Sequence, residues 1–247
     1  MSDSKPKSIA VITGASRREG IGFEVARQLG ARGFTVVVTA RTGATAAGRV
    51  ADLVRERLDA IAETLDVADP ASVAAFASRM EERFGRVDVL VNNAAGVSAF
   101  GEKASSADLR AAHEAMESTL FGAWRTTQAL LPLLRRSSHA RVVMVSSGAG
   151  SHGDMVFGLT SGNAMGPSYG VPKAALNALA AAFAAELRRD GILVNAVCPG
   201  FTATFPGGEQ MGARPVKDGA ASIVWAATLP NDGPTGGFFR DGKPLPW

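Results

Sequence analysis

Short apolar runs alternate with helix-period segments along all 247 residues, and this alternation constrains the fold more than any single motif. Ser8-Ile9-Ala10-Val11-Ile12 and Thr35-Val36-Val37-Val38-Thr39 are apolar or β-branched throughout, which suits strands. Further strands are expected over 61–67, 87–91, 142–146, 192–198 and 237–240. Helices are expected over 22–32, 46–58, 70–84, 107–134, 172–189 and 215–228. Asp69-Pro70 is a cap followed by a first-turn proline, and Gly33 is a stop signal. Strands apolar on both faces and separated by helices require a parallel sheet covered on both sides. Right-handed crossovers make that sheet doubly wound, a Rossmann-type α/β fold. No linker or repeat divides the chain, so one domain spanning 1–247 is expected. The loops over 148–166 and 201–214 are long and glycine-rich. They follow strands, at the sheet edge where such folds bind ligands.

Composition narrows the class. Hydrophobic residues make up 46% and charged residues 20%, and the net charge is +3 without a concentrated basic run. Nucleic acid is therefore not an expected partner. No apolar stretch reaches the length of a membrane span, and the first seven residues show no apolar leader. The single cysteine, Cys198, lies in an apolar run, where it reads as a small core hydrophobe. With no disulfide framework, a reducing, cytoplasmic setting is expected. No metal-ligand cluster stands out, and His113, His139 and His152 read as solvent-facing.

The first strand runs into Thr13-Gly14-Ala15-Ser16-Arg17-Arg18-Glu19-Gly20-Ile21-Gly22, and a helix opens at once. Glycines let the backbone approach a pyrophosphate, and the free N–H groups of the new helix face that anion. Gly14, Ser16, Gly20, Ile21 and Gly22 are thus candidate cofactor contacts. The second strand ends in Thr39-Ala40-Arg41, where an acidic residue would hold the ribose of NAD(H). Arg41, with Arg17 or Arg18, instead suits a 2′-phosphate, so NADP(H) is the expected cofactor, ahead of NAD(H).

With these features in place, the chain resembles the short-chain dehydrogenase/reductase family over nearly its whole length. Four landmarks occur in order: the loop ending Gly20-Ile21-Gly22; Asn92-Asn93-Ala94-Ala95-Gly96; Ser146-Ser147 with Tyr169-Gly170-Val171-Pro172-Lys173; and Pro199-Gly200-Phe201-Thr202-Ala203-Thr204. The resemblance implies an oxidoreductase that moves a hydride between a nicotinamide and a carbonyl or alcohol carbon. It places Asp66 and Val67 against the adenine, and Asn93 and Ala94 along the cofactor. It puts Pro199, Gly200, Thr202 and Thr204 at the nicotinamide. Ser147, Tyr169 and Lys173 become the reacting set, with Tyr169 and Lys173 also holding the cofactor. It implies a homodimer or homotetramer as well.

The chemistry is coherent. Residues four apart share a helix face, so the Lys173 ammonium is expected to lower the Tyr169 phenol from its ordinary value. The phenol then exchanges a proton with the substrate oxygen, while Ser147 donates to it. Three departures stand out: two extra residues in the first loop, the extra Ala95, and Thr119 at the family's catalytic asparagine. Threonine lacks the paired donor and acceptor of an amide. The expected activity is a ketone or aldehyde reductase, with an alcohol dehydrogenase in the same class. A cofactor-binding sensor is the alternative that Thr119 keeps open. Met155, Phe157, Met165, Phe201 and Phe205 suggest an apolar substrate body.

Overall fold

The computed structural model describes residues 7–96, 101–161 and 166–247. Among the readings above, Met165 and the stretch 162–165 of the loop over 148–166 lie outside the described residues. The first half is built from β1 (Ile9–Ile12), α1 (Ile21–Gly30), β2 (Thr35–Ala40), α2 (Gly43–Arg55), β3 (Ala60–Thr64), α3 (Pro70–Phe84) and β4 (Val89–Asn92). The second half is α4 (Leu109–Met116), α5 (Gly122–Leu134), β5 (Arg141–Val145), α6 (Pro167–Glu186), β6 (Leu193–Val197), α7 (Val216–Ala227), β7 (Phe238–Arg240) and β8 (Lys243–Pro244). The eight strands form one sheet in the order β3-β2-β1-β4-β5-β6-β7-β8. All pairs are parallel except β7 with β8.

Period-two alternation on buried strands fills both faces. Val11, Leu90, Val142, Met144 and Val194 point to a core shared with α3, α5 and α6. Ala10, Ile12, Val36, Val38, Val91, Val143 and Val197 point to a second core against α1, α2 and α7. The strand order reverses between β1 and β4, the crevice where open α/β sheets take ligands.

Four expectations need correction. The strand expected over 61–67 ends at Thr64, because Asp66 starts a turn in which its Oδ1 accepts the Ala68 N–H at 3.0 Å. The helix expected over 107–134 is interrupted by a π-helical turn, Glu117–Phe121, between α4 and α5. The helix expected from 172 begins at Pro167 and passes at Glu186 into a short 3₁₀ turn. The first-turn proline is Pro167, and Pro172 sits in the helix interior, where it forgoes one backbone bond. β8 was not anticipated; it follows the tight turn at Asp241-Gly242, both with positive φ.

Candidate active site

The Gly-rich loop leaves β1 at Gly14, whose φ of +67° suits glycine. A side chain there would also strike the Ala94 backbone, at 2.7 Å from its Cα. Thr13 and Asn93 lock the ends of β1 and β4 together. Thr13 Oγ1 accepts the N–H groups of Asn93 and Ala94 at 2.9 and 3.0 Å. Asn93 Nδ2 donates to the Thr13 and Gly14 carbonyls at 2.8 and 3.1 Å, and a side chain on Gly22 would collide with that amide. Gly20 caps α1 without a side chain, so the first-turn N–H groups of Ile21, Gly22 and Phe23 find no acceptor among the described residues. Ser16 lies in this loop before the helix opens. An uncapped helix start behind a glycine turn fits a pyrophosphate.

The three arginines of this region separate. Arg41 is exposed at the end of β2 and makes no ion pair with the described residues. Arg18 is held by Asp52 of α2 through Nε at 3.0 Å and through Nη2, and Asp52 also pairs with Arg49 and Arg55. Arg17 crosses to the opposite loop, where Nη1 donates to the Thr204 carbonyl at 3.2 Å. Asp66 and buried Val67 follow β3, and Val67 packs so closely on Gly122 that a side chain there would fall 2.7 Å from its Cγ2.

The reacting set gathers where β5 meets α6. Ser147 follows β5, and its Oγ accepts the Ala149 N–H at 3.2 Å. Tyr169 stands in the first turn of α6, whose next free N–H, that of Ser168, is taken by Glu102 at 3.0 Å. Lys173 is 3% exposed; its Nζ donates to the Val145 carbonyl at 2.7 Å and lies 5.6 Å from the Tyr169 ring centroid. Burial pushes Tyr169 up to about 12, against a hydrogen bond from Ser147 that favours the phenolate. Burial likewise pushes Lys173 down to about 8. The expectation that the ammonium would lower the phenol is thus reversed, because burial is the larger effect.

Thr119 is buried inside the π turn, and its Oγ1 accepts the Gly96 N–H at 3.1 Å. The wider turn directs this hydroxyl to the loop after β4. Pro199 and Gly200 follow β6. Thr202 Oγ1 donates to the Pro199 or Gly200 carbonyl, at 3.1 and 3.0 Å, and Thr202 pairs across the loop with Arg214. Phe157 and Phe201 lie with ring centroids 6.0 Å apart, and Phe201 and Phe205 6.2 Å, so the two long loops meet through aromatic rings. Met155 and His152 are exposed. Sequence reasoning missed Glu102, Asp52 and Asn177. Asn177, one helical turn beyond Lys173, is buried with neither amide atom paired among the described residues.

An uncapped dinucleotide-type crevice beside a Ser-Tyr-Lys set, half-buried but for its fully buried lysine, defines the class of nucleotide-dependent α/β oxidoreductases. A sequence profile of the family described as short chain dehydrogenase matches residues 8–211. The chain belongs to that short-chain dehydrogenase/reductase family. It is 36% identical over 231 residues to the short-chain dehydrogenase anuI of Penicillium roqueforti, covering 90% of this chain and 89% of that one. It is 30% identical to salutaridine reductase of Papaver bracteatum, covering 93% of each. The NADPH-bound carbonyl reductase from chicken fatty liver superposes with a TM-score of 0.83 at 27% identity, covering 99% of this chain and 100% of that one.

Proposed function

We propose that this chain is an NADP(H)-dependent reductase of ketones or aldehydes. One observation carries the reading: Tyr169 stands beside Ser147, with Lys173 buried behind it, fixed on the Val145 carbonyl and 5.6 Å from the phenol ring. A phenol so placed can give its proton to a carbonyl oxygen, and the reverse transfer would serve an alcohol. A bound nicotinamide supplies the hydride. Ser147 donates to the substrate oxygen and stabilises charge developing there. Tyr169 Oη delivers the proton. Lys173, fixed on Val145, favours the resulting phenolate through its charge.

Arg41 supports the cofactor preference, since it is exposed and makes no ion pair among the described residues, where a 2′-phosphate would lie. Gly14, Gly22, Asn93 and Ala94 would hold the dinucleotide, and Pro199, Gly200, Thr202 and Thr204 its nicotinamide end. The loops over 148–166 and 201–214 would enclose an apolar substrate between Phe157, Phe201 and Phe205. The NADPH found with the chicken carbonyl reductase agrees with this assignment.

The test is NADPH consumption over a panel of apolar ketones, with kcat/KM compared for NADPH and NADH. Equal use of the two cofactors would overturn the preference. A second reading, a cofactor sensor, is favoured by the engagement of Thr119 with Gly96. Tight NADPH binding without turnover of any carbonyl would establish it in place of the reductase.

A further inference from the structure

Arg240 ends β7, far in sequence from every motif above, yet it reaches under the site. Its Nη2 donates to Asp154 Oδ2 at 3.1 Å and to the Cys198 sulfur at 3.3 Å. Asp154 is buried, and its Oδ1 accepts the N–H groups of Val156 and Phe157, each at 3.0 Å. The same sulfur accepts the Gly148 N–H at 3.1 Å and the Gly200 N–H at 3.3 Å. The ion pair lies directly on Gly148: a side chain there would sit 2.7 Å from Arg240 Nη2 and would collide with Asp154. Gly148 is the residue after Ser147. One guanidinium therefore braces the turn that presents Ser147, the loop that presents Phe157, and the strand end that leads to Gly200.

We propose that Arg240 is a positioning residue: through Asp154 and the Cys198 sulfur it sets where Ser147 meets Tyr169 and the substrate oxygen. This rests on the reductase reading above. A thiol sulfur is a weak acceptor, so Asp154 supplies most of the hold and Cys198 the direction. Burial raises the Asp154 carboxyl, but the Phe157 and Val156 N–H groups and Arg240 outweigh it, so the acid stays below its ordinary value. A planar guanidinium can serve both partners from one nitrogen; an ammonium on a flexible stem does not hold that geometry. The base of the loop is pinned separately, by Ser151 Oγ donating to the Pro246 carbonyl at 2.7 Å and Gly153 N–H donating to the Trp247 carbonyl at 2.9 Å. Loss of Arg240 should therefore loosen the site without releasing the whole loop.

Tyr169 is the chain's single tyrosine, so ultraviolet titration of tyrosinate reads it alone. The groups facing its phenol are Ser147, Lys173 and Cys198. The test uses Arg240→Lys and, to avoid leaving a lone buried charge, the neutral pair Arg240→Gln with Asp154→Asn. Folding is checked by circular dichroism, and NADPH binding by fluorescence. Both proteins should fold and bind NADPH as the parent does. Their kcat on a ketone should fall ~10- to 100-fold, the scale of a misplacement of about 1 Å. Tyrosine should titrate at higher pH than in the parent, because Ser147 no longer favours the phenolate. Folded variants with the parent's kcat and tyrosine titration would overturn the proposal, as would activity lost only in proportion to folded protein. Should the parent reduce no ketone, the reductase reading fails; an unchanged tyrosine titration would then overturn the Arg240 role, and a shifted one would uphold it.

Discussion

Replacing Lys173 with methionine should make the protein more stable and inactive. Lys173 is 3% exposed, and burial lowers it from 10.5 to about 8. At about 1.4 kcal/mol for each pH unit, keeping the ammonium in the fold costs about 3 kcal/mol at neutral pH. Methionine has a similar reach and no charge. It forfeits the bond to the Val145 carbonyl, ~1 kcal/mol, leaving a net gain of roughly 2 kcal/mol. For a chain of this size that is a Tm increase of roughly 4–8 °C. The sign with pH follows from which state binds the proton more tightly. The unfolded chain holds it up to 10.5 and the folded chain only up to about 8, so the penalty is complete below about 8. It fades as pH rises to 10.5, and the Tm gap should close over that interval. Tyr169, raised to about 12, weakens both proteins above pH 10 and cancels in the comparison. Scanning calorimetry of both proteins from pH 7 to pH 10.5 gives the answer. A methionine variant less stable at pH 7, or a gap that does not change with pH, would refute the reasoning.

Other substitutions probe neighbouring parts. Thr119→Val removes the acceptor of the Gly96 N–H, and leaving that donor unpaired should cost ~1–3 kcal/mol, read as a drop in urea midpoint. Gly22→Ala drives a methyl into the Asn93 amide that ties β1 to β4; overpacking of ~1–3 kcal/mol and weaker NADPH binding are expected together by thermal shift and fluorescence titration. Tyr169→Phe should cut turnover ~10²- to 10⁴-fold with NADPH affinity retained, in a single-turnover assay.

The features legible in the sequence were those carried by local spacing. The Gly-rich turn, Asn93, Ser147 and the Tyr169-Lys173 step each declare themselves within a few residues. The doubly wound parallel sheet followed from alternation and handedness rules, and the α3 cap at Asp69-Pro70 was read correctly to the residue. The rest depends on partners distant along the chain. Asp52 meets Arg18 across 34 positions, and Arg240 meets Asp154 across 86. Pro172 misled because a proline commonly opens a helix, and a second one, Pro167, was the one that did. The direction of the Tyr169 shift was hidden for the same reason: helix spacing shows that a lysine is near, but only packing shows that burial dominates the phenol.

The turn at Glu117–Phe121 also changes how the neighbouring helices can vary. A π turn carries one residue more than an α turn, and each helical residue advances the phase by about 100°. The apolar patterns of α4 and α5 are therefore offset by one residue in sequence, while α5 keeps Leu130, Leu133 and Leu134 in the core. Deleting one residue between 117 and 121 would close the stretch to an ordinary α turn with the flanking faces kept, and would shift the Thr119 hydroxyl away from the Gly96 N–H. The extra residue thus serves the loop after β4 rather than the packing of the flanking helices.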